Sequence, residues 1–361
     1  MSKIVALADV SSAASSNIAQ KDLVDNIGKY PIFGASGFIR NVDFYKQENP
    51  YLAIVKDGAG VGRVFLLPEH SSVIGTMQYI LPNENVDINF LYYVLVKLNL
   101  GRYYSGATIP HIYFKDYKNE RFPLPTLEEQ RKIAAILDKT NALITERKQQ
   151  LEQLDLMIKS RFVEMFGDDL DDSQAELRDV CKIITDGTHQ PPKFTRKGVP
   201  FLFVSNIVDG NIDYDTQKFI SHEEYESLIR RTPIEIGDIL LTIVGSYGNP
   251  AIVKSDRKFC FQRHIAYLKP KRERFASEYL HAALQVGYVK AQIEGRVRGV
   301  AQKTLNLSEL KAIRVNTPPI NMQTRFADFV RQTDKSKSEI KQGLKQLELQ
   351  YNALMQQYFE R

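Results

Sequence analysis

Short segments of the sequence combine Arg, Asn or Gln with Lys, Ser, Thr, Tyr or His. Arg forms paired hydrogen bonds with guanine, Asn and Gln do so with adenine, and the other side chains contact phosphates. Such segments offer contacts for double-stranded DNA, although any one of these side chains is more often simply solvated at the surface. Arg102, Arg296 and Arg298 are the first candidates. The candidates in the first half of the chain are Lys56, Arg63, Arg102, Tyr103, Thr108, His111 and Lys115. Those in the second half are Thr188, His189, Gln190, Asn206, Ser246, Tyr247, Arg263, Arg296, Arg298, Gln302 and Lys303.

The charge of the chain is unevenly distributed. Its net charge of +5 is compatible with a polyanionic partner but is modest for a chain of 361 residues. Residues 249–314 alone hold 14 basic and 5 acidic side chains. We therefore expect the strongest phosphate contact within this segment.

The sequence lacks the motifs of several enzyme classes. It contains no Asn-Pro-Pro-Tyr or Asp-Pro-Pro-Tyr segment of the kind that amino-methyltransferases use to hold a base, and no P-loop. The Gly-rich run at 58–62 lacks the spacing of a nucleotide-binding loop, so it predicts a tight turn. Three histidines, His111, His189 and His264, have no triad or metal-ligand spacing. We predict no catalytic residue, no metal and no cofactor.

Cysteine usage and hydropathy narrow the class of protein further. Cys181 and Cys260 lie far apart without a CxxC spacing, which predicts two buried thiols and neither a disulfide scaffold nor a zinc site. No stretch approaches the roughly 20 apolar residues that span a bilayer. The first residues, MSKIVALADV, do not resemble a secretory signal. These patterns favour a cytoplasmic protein without a membrane partner.

An internal repeat organises the chain. The segment that begins at Pro125 aligns without a gap on the segment that begins at Pro318, at a constant offset of 193 residues, and this pairs Gln130 with Gln323. The segment ALADV at 6–10 resembles ELRDV at 176–180 at an offset of 170, so the second copy is longer by about 23 residues. Each copy has a mixed domain followed by a long helix.

Both long helices are predicted from periodicity. From Ile133 onward, apolar residues recur at steps of three and four, and Thr126 with Glu129 forms a capping-box pattern. About 39 residues at 1.5 Å each give a rod of roughly 58 Å. Because neither helix can bury its apolar stripe alone, we expect the two to pack as an antiparallel coiled coil. A rod of this length can separate two DNA-reading domains by at least one turn of the duplex, roughly 34 Å.

Five segments carry a resemblance to a known family: PLPTLEEQRKIAAILDKTNALI, FVEMFGD, GVPFLFVSNI, GDILLTIVGSYG and RHIAYLKP. Through them the chain resembles the type I restriction-modification specificity subunits over essentially its whole length. The second copy departs from the pattern, because PPINMQTRF lacks the Glu-Glu-Gln of the first. The resemblance implies a non-catalytic protein that recognises an asymmetric, bipartite DNA site. It also implies that two methyltransferase (modification) subunits and a restriction/translocase subunit assemble on the long helices.

The predicted fold class is therefore α+β, with two mixed α/β target-recognition domains separated by two long helices and an internal pseudo-repeat. We predict target-recognition domains at 1–124 and 170–317, and spacer helices at 125–169 and 318–361. Two alternatives stay open from the residues alone. The chain could be a non-enzymatic coiled-coil scaffold whose mixed domains bind protein, or an enzyme in its own right that lacks the familiar motifs.

Overall fold

The computed structural model describes residues 3–106, 109–299 and 302–360. The chain divides into two compact units, of which the first comprises Met1–Gln149 with Lys341–Arg361 and the second Gln150–Ile340. Each unit thus contains one half of each long helix. In the part of the chain that is described, no helix is both long and apolar enough to cross a membrane.

The first unit is a mixed α/β domain that ends in a long helix. Its strands are β1 (Lys3–Ala6), β2 (Ser11–Ser15), β3 (Tyr30–Gly34), β4 (Gly37–Val42), β5 (Tyr51–Val55), β6 (Val64–Leu67), β7 (Ser72–Val73), β8 (Met77–Pro82) and β9 (Arg121–Leu124). Its helices are α1 (Leu7–Val10), α2 (Ile88–Leu98), α3 (Phe114–Tyr117) and the start of α4 (Leu127–Phe166), with 3₁₀ turns at Gln20–Leu23 and Leu100–Tyr103.

A four-stranded antiparallel sheet, in the order β2-β8-β5-β6, forms the centre of the first unit. All five residues of β5 are buried, as expected of a central strand that is covered on both faces. A smaller sheet has the order β4-β3-β7, and β3 pairs in parallel with β7. The short pair β1·β9 returns the chain to the start of α4.

The second unit repeats this plan. Its strands are β10 (Gln174–Glu176), β11 (Cys181–Asp186), β12 (Phe194–Thr195), β13 (Val199–Leu202), β14 (Ile207–Val208), β15 (Asn211–Ile212), β16 (Phe219–Ile220), β17 (Ile239–Thr242), β18 (Pro250–Ile252), β19 (Cys260–Phe261), β20 (Ile265–Pro270) and β21 (Arg314–Asn316). Its helices are α5 (Leu177–Val180), α6 (His222–Leu228), α7 (Ser277–Ala283), α8 (Gly287–Arg296), α9 (Leu307–Lys311) and the start of α10 (Ile320–Phe359), with a 3₁₀ turn at Val204–Asn206.

The sheets of the two units correspond strand by strand. The order β11-β20-β17-β18 matches β2-β8-β5-β6, and the parallel pair β13·β19 matches β3·β7. The second unit adds an edge strand, β12, to its smaller sheet, and also the hairpin β14·β15 and the helix α6. These additions accommodate most of the greater length of the second copy.

The long helices begin and pack as the sequence predicts. The capping box is present, because the Thr126 amide donates to Glu129 Oε2 at 3.0 Å and the Glu129 amide donates to Thr126 Oγ1 at 3.3 Å. In the first unit, the start of α4 shares a core with the end of α10, where Phe359 is buried. In the second unit, Phe162 near the end of α4 contacts Phe326 near the start of α10, with ring centroids 5.5 Å apart. The predicted antiparallel packing is confirmed.

A buried glutamine attaches each mixed domain to its following helix. Gln130 accepts a hydrogen bond from the Asp87 amide at 2.7 Å and donates to the carbonyls of Asn85 and Pro125. Gln323 makes the same three contacts, with the Ala276 amide and the carbonyls of Arg274 and Pro318. The departure of PPINMQTRF from the pattern of the first copy therefore leaves this attachment intact.

One prediction about the helices is wrong in detail. The apolar residues of α4 do not form one buried stripe, because Leu137 and Ile144 are buried whereas Ile136, Leu143 and Met157 are 41%, 44% and 43% exposed. Consecutive helical residues are rotated by about 100°, so Ile136 and Leu143 point away from the packed face.

Both cysteines are buried free thiols, as predicted, and burial raises the pKa of each to about 12.

Candidate nucleic-acid interface

Two loops come together in the first unit. The Gly58 amide donates to the Pro110 carbonyl at 3.0 Å, and the Ile112 amide donates to the Lys56 carbonyl at 2.9 Å. The second loop is closed by reciprocal backbone hydrogen bonds between Ser105 and His111, both 2.8 Å long. The structure therefore joins two segments, 56–63 and 105–111, that the sequence offered separately.

The second unit contains the same pair of loops. The Gly245 amide donates to the Lys303 carbonyl at 2.9 Å, and the Leu305 amide donates to the Ile243 carbonyl at 2.8 Å. Arg298 and Thr304 close the loop with reciprocal hydrogen bonds of 2.9 and 2.8 Å. Ser105 and Arg298 are related by the offset of 193 residues, so the strict repeat extends upstream of Pro125 into these loops.

A glycine is required at the same place in both closed loops. Gly106 has φ of +99° and Gly299 has φ of +98°, a region that residues with a Cβ rarely adopt. A Cβ on Gly106 would lie 2.5 Å from the Ile109 carbonyl oxygen, and one on Gly299 would lie 2.4 Å from that of Gln302. Sequence reasoning missed both glycines, although aligning SGATIPH with RGVAQKT at the repeat offset would have found them.

In the first unit, several predicted residues hold the loops rather than project freely. His111 Nδ1 lies 2.7 Å from Asp57 Oδ1, and Arg63 donates to the Ala35 carbonyl at 3.1 Å. Arg102 lies 3.0 Å from Glu120, and its guanidinium also donates to Tyr103 Oη at 2.8 Å.

The remaining candidates of the first unit differ in exposure. Lys115 is exposed and lies over the ring of Tyr113 at 5.1 Å, whereas Lys56 is half-buried and lies 3.8 Å from Asp57. The Gly-rich run forms the predicted turn, in which Gly58, Gly60 and Gly62 all have φ of +86°. Thr108 lies outside the described residues.

In the second unit, a polar cavity of about 210 Å³ lies beside the closed loop. Arg263, His264 and Gln302 line it, together with Asp186 and Thr304. Burial and the neighbouring Arg263 lower the pKa of His264, which favours the neutral ring. A neutral imidazole and an amide offer both donors and acceptors, which is the chemistry that base edges require.

A second group of candidates borders the same cavity. The Arg263 amide donates to the Thr188 carbonyl at 3.0 Å, and His189 Nε2 lies 2.9 Å from Asp186 Oδ2. Asp186 also accepts a hydrogen bond from Arg231 at 2.5 Å, a partner that the sequence did not suggest. Gln190 is exposed next to this cluster in the chain.

Arg296, the last residue of α8, and Arg298, which closes the loop, are not equivalent. Arg296 is half-buried, lies 3.5 Å from Glu309 and donates to the Gln292 carbonyl at 3.2 Å. Arg298 is exposed, and its guanidinium has no partner among the described residues. Arg298 is therefore the arginine that is free to contact a ligand.

Two candidates, Ser246 and Tyr247, lie on the loop that is hydrogen-bonded to the closed loop through Gly245. Lys303 lies on the closed loop itself. Ser246 Oγ accepts a hydrogen bond from Asn249 at 3.1 Å. Lys303 is exposed, and its ammonium lies 5.9 Å from the centroid of the Tyr247 ring. The aromatic face and the cation together offer a contact for a planar or anionic group.

Asn206 is the candidate whose polar groups are most fully occupied inside the domain. Asn206 is buried, its Oδ1 accepts from the Phe203 amide at 2.9 Å, and its Nδ2 donates to the carbonyls of Asp213 and Asp215 at 3.0 Å. Its hydrogen-bonding groups are used inside the domain, where Asn206 shapes a turn, so a contact of this side chain with a base would require these hydrogen bonds to be exchanged.

The basic segment 249–314 is also less available than its charge suggests. Ion pairs occupy Lys254 with Asp334, Lys258 with Glu226, and Arg272 with Glu235 and Asp238. Most of these acidic partners lie outside the segment in sequence, so a local count of charges could not show the compensation. Arg263, Arg298 and Lys303 are the exposed candidates in the segment that form no ion pair in the described part of the chain.

Across residues 3–106, 109–299 and 302–360, no cluster of three or more His, Cys, Asp or Glu side chains could hold a metal ion.

The chain matches the family model described as type I restriction modification DNA specificity domain at residues 2–153 and 172–349. The two matched segments coincide with the two copies of the repeat.

Curated relatives carry consistent names. The chain is 25% identical over 348 residues to the type I restriction enzyme MjaVIII specificity subunit of Methanocaldococcus jannaschii, a match that covers 87% of this chain and 81% of that protein. It is 27% identical over 259 residues to the type I restriction enzyme EcoBI specificity subunit of Escherichia coli, covering 63% of this chain and 54% of that one. Both names are those of a specificity subunit rather than a catalytic subunit, as predicted.

Solved structures share the fold. The type I restriction-modification system S subunit from M. genitalium aligns with a TM-score of 0.65 over 99% of this chain and 96% of that chain, at 16% identity. A chain from a structural study of complex assembly and conformational transition in the type I R-M system aligns with a TM-score of 0.51 at the same identity, over 99% of this chain and 97% of that one. With a family model that covers both copies of the repeat, the chain belongs to the type I restriction-modification DNA specificity family and is a specificity subunit.

Proposed function

We propose that the chain recognises an asymmetric, bipartite site in double-stranded DNA, and that each half of the site is read by one mixed domain. In this proposal residues 1–124 and 170–317 are the target-recognition domains, and residues 125–169 and 318–361 are the spacers. The observation that carries the proposal is the pair of loops that recurs in both units, with the same backbone hydrogen bonds and the same left-handed glycine.

Different side chains on the same loop support the asymmetry of the site. Ser105 occupies the position of Arg298, and Ile109, which is 53% exposed, occupies the position of Gln302. Arg and Gln bond to guanine and adenine edges, whereas an apolar side chain contacts the methyl group of thymine. Two loops with the same closing hydrogen bonds and different side chains are what two readers of unlike half-sites require.

The long helices are the proposed assembly surface for two methyltransferase subunits and a restriction/translocase subunit. Six large apolar side chains of α4 are exposed, namely Leu127, Ile136, Leu143, Leu156, Met157 and Val163. Such side chains on a helix that already packs against a partner helix support docking of another protein. The same surface would serve the alternative function, a protein-binding scaffold without DNA specificity.

The test is to purify the chain with its methyltransferase subunit, add methyl donor and random-sequence DNA, and map the methylated adenines. A gapped, two-part motif is the expected result. Arg298→Ala should relax the second half of the motif and leave the first half unchanged, with an affinity loss of about 1–3 kcal/mol. Arg230→Ala is the matched control, because Arg230 is also exposed and forms no ion pair in the described part of the chain. Methylation by a DNA-bound complex without any gapped motif would replace this proposal with the scaffold.

A further inference from the structure

The edge strand β12 and the turn after it distinguish the second unit from the first. Phe194 and Thr195 pair with Ile220 and Phe219 of β16. In the turn, Thr195 Oγ1 donates to the Lys197 carbonyl at 2.9 Å. Gly198 has φ of +146°, and a Cβ there would lie 2.2 Å from the Ile220 carbonyl oxygen. The turn is therefore tightly held against the sheet.

Four cations surround this turn, and we call them the edge patch: Lys193, Arg196, Lys197 and Lys218. All four are exposed, and within the described ranges none of them forms an ion pair. The Lys218 ammonium lies over the ring of Phe194 at 5.2 Å, which places it beside the turn. The edge patch thus presents four uncompensated positive charges on a rigid support.

Several other cations of the molecule are used internally. In the smaller sheet of the first unit, Arg40 donates to the carbonyls of Leu23 and Val24. The segment that leads into β3, at the place of this turn, carries one exposed cation, Lys29, whose ammonium lies 5.1 Å from the centroid of the Tyr30 ring. In the second unit, Lys254 and Lys258 are paired with acidic residues. Lys193 and Arg196, which flank the extra strand β12, are therefore additions to the second domain that the shared fold does not require.

The edge patch lies close to the candidate interface along the chain. Thr188 is hydrogen-bonded to the backbone of Arg263, and Lys193 follows Thr188 by five residues. Five residues span at most roughly 18 Å, which is about half of one turn of duplex DNA, roughly 34 Å. A duplex that contacts Arg263 can therefore reach Lys193, the first residue of the edge patch, within the same turn.

We propose that the edge patch binds the sugar-phosphate backbone of the duplex beside the second half-site and adds affinity without reading bases. This inference rests on the proposed function. Flexible lysines and an unpaired arginine suit phosphates, because each contact releases condensed counterions from the DNA. The second domain then supplies more of the salt-dependent affinity than the first.

The test measures DNA affinity at several salt concentrations, using the assembled complex with methyltransferase subunits and a duplex that carries the mapped site. The triple variant Lys193→Ala, Arg196→Ala, Lys197→Ala should make the slope of log affinity against log salt shallower by about 2.7, at about 0.9 for each phosphate contact. Between 50 and 200 mM salt, the variant should then lose about 40-fold less affinity than the parent chain. The methylated motif should not change.

The control variant Lys21→Ala, Lys118→Ala, Lys335→Ala removes three exposed lysines elsewhere and should leave the slope unchanged. An unchanged slope in the edge-patch variant would overturn the inference. So would an unchanged slope with weaker binding of methyltransferase subunits, which would identify the patch as a protein contact. If the parent complex binds DNA with a slope that depends on the patch but without a gapped motif, the proposed function fails and the edge patch stands.

Discussion

The two units share one plan, but they differ in how the mixed domain packs against the long helix that follows it, which is α4 in the first unit and α10 in the second. The buried glutamines align Asp87 with Ala276, so Tyr93 of α2 corresponds to Ala282 of α7. Tyr93 is buried, and its hydroxyl donates to Asp138 at 2.6 Å. In the second unit, a cavity of about 610 Å³ opens at this place, and Ala282 and Arg331 line it. Tyr93 is thus one of the side chains by which the filled junction differs from the open one.

The contrast indicates which features the repeat preserves. The glutamine attachment, the sheet order and the paired loops are the same in both units, whereas the packing behind the helix differs. A packed core tolerates changes in side-chain volume if the surrounding backbone keeps its place. The shared features are therefore those that set the position of the candidate DNA-contacting loops.

The largest expected effect breaks the filled junction. Tyr93→Ala should lower the free energy of unfolding by about 4 kcal/mol, because it removes a buried aromatic ring and leaves a cavity. Ala282→Tyr, the matched change in the second unit, should alter it by less than about 1 kcal/mol, because the space is already open. Urea unfolding of both variants measures the difference. Equal costs would show that the cavity in the second unit cannot accept a tyrosine.

Removing the attachment should affect both units alike. Gln130→Ala and Gln323→Ala each leave one amide and two carbonyls without a partner. We expect each variant to lose about 3 kcal/mol of unfolding free energy. Gln153→Ala, at an exposed position of α4, should change it by less than about 0.5 kcal/mol. A large difference between the two buried glutamines would refute their equivalence.

Substituting the loop glycines separates the two half-sites. Gly106→Ala and Gly299→Ala should each cost about 2 kcal/mol, because the backbone is left-handed and the new Cβ meets a carbonyl oxygen. Gly106→Ala should relax the first half of the methylated motif only, and Gly299→Ala the second half only. Gly343→Ala is the control, since this helical glycine has open space around it and alanine should stabilise it by about 1 kcal/mol. Relaxation of both halves by one variant would contradict an independent role for each loop.

The sequence predicted the features that depend on local pattern. The long helices, the capping box at Thr126 and the internal repeat follow from residue spacing, and the structure agrees with each. The prediction that the apolar residues of α4 share one buried face was wrong for Ile136. Ile136 is one step along the helix from the buried Leu137 and so points about 100° away from it. The burial of Asn206 could not be predicted, because its partners, the carbonyls of Asp213 and Asp215, are backbone groups that no residue type reveals.

The candidate interface was predictable as segments but not as individual contacts. The pairing of 56–63 with 105–111 depends on long-range backbone hydrogen bonds. The difference between Arg296 and Arg298 depends on the placement of Glu309. Charge compensation in 249–314 came from residues such as Glu226 and Asp334, far away in sequence. Tertiary partners, rather than residue type, decided which cations remain available.

The open junction of the second unit should also titrate. Burial lowers the pKa of His281 to about 4, with Lys254 and Lys337 acting in the same direction and Asp334 opposing them. The pKa of His281 in the folded chain lies below its value of about 6.5 in the unfolded chain. The stability that depends on a neutral His281 is therefore fully present above pH 6.5. It is lost as the pH falls from about 6.5 to about 4, since only the unfolded chain takes up the proton. His281→Gln should make the decline in unfolding free energy over that range shallower. An unchanged decline would mean that solvent in the cavity already stabilises the charged ring, and that the open junction, unlike the filled one, is wet.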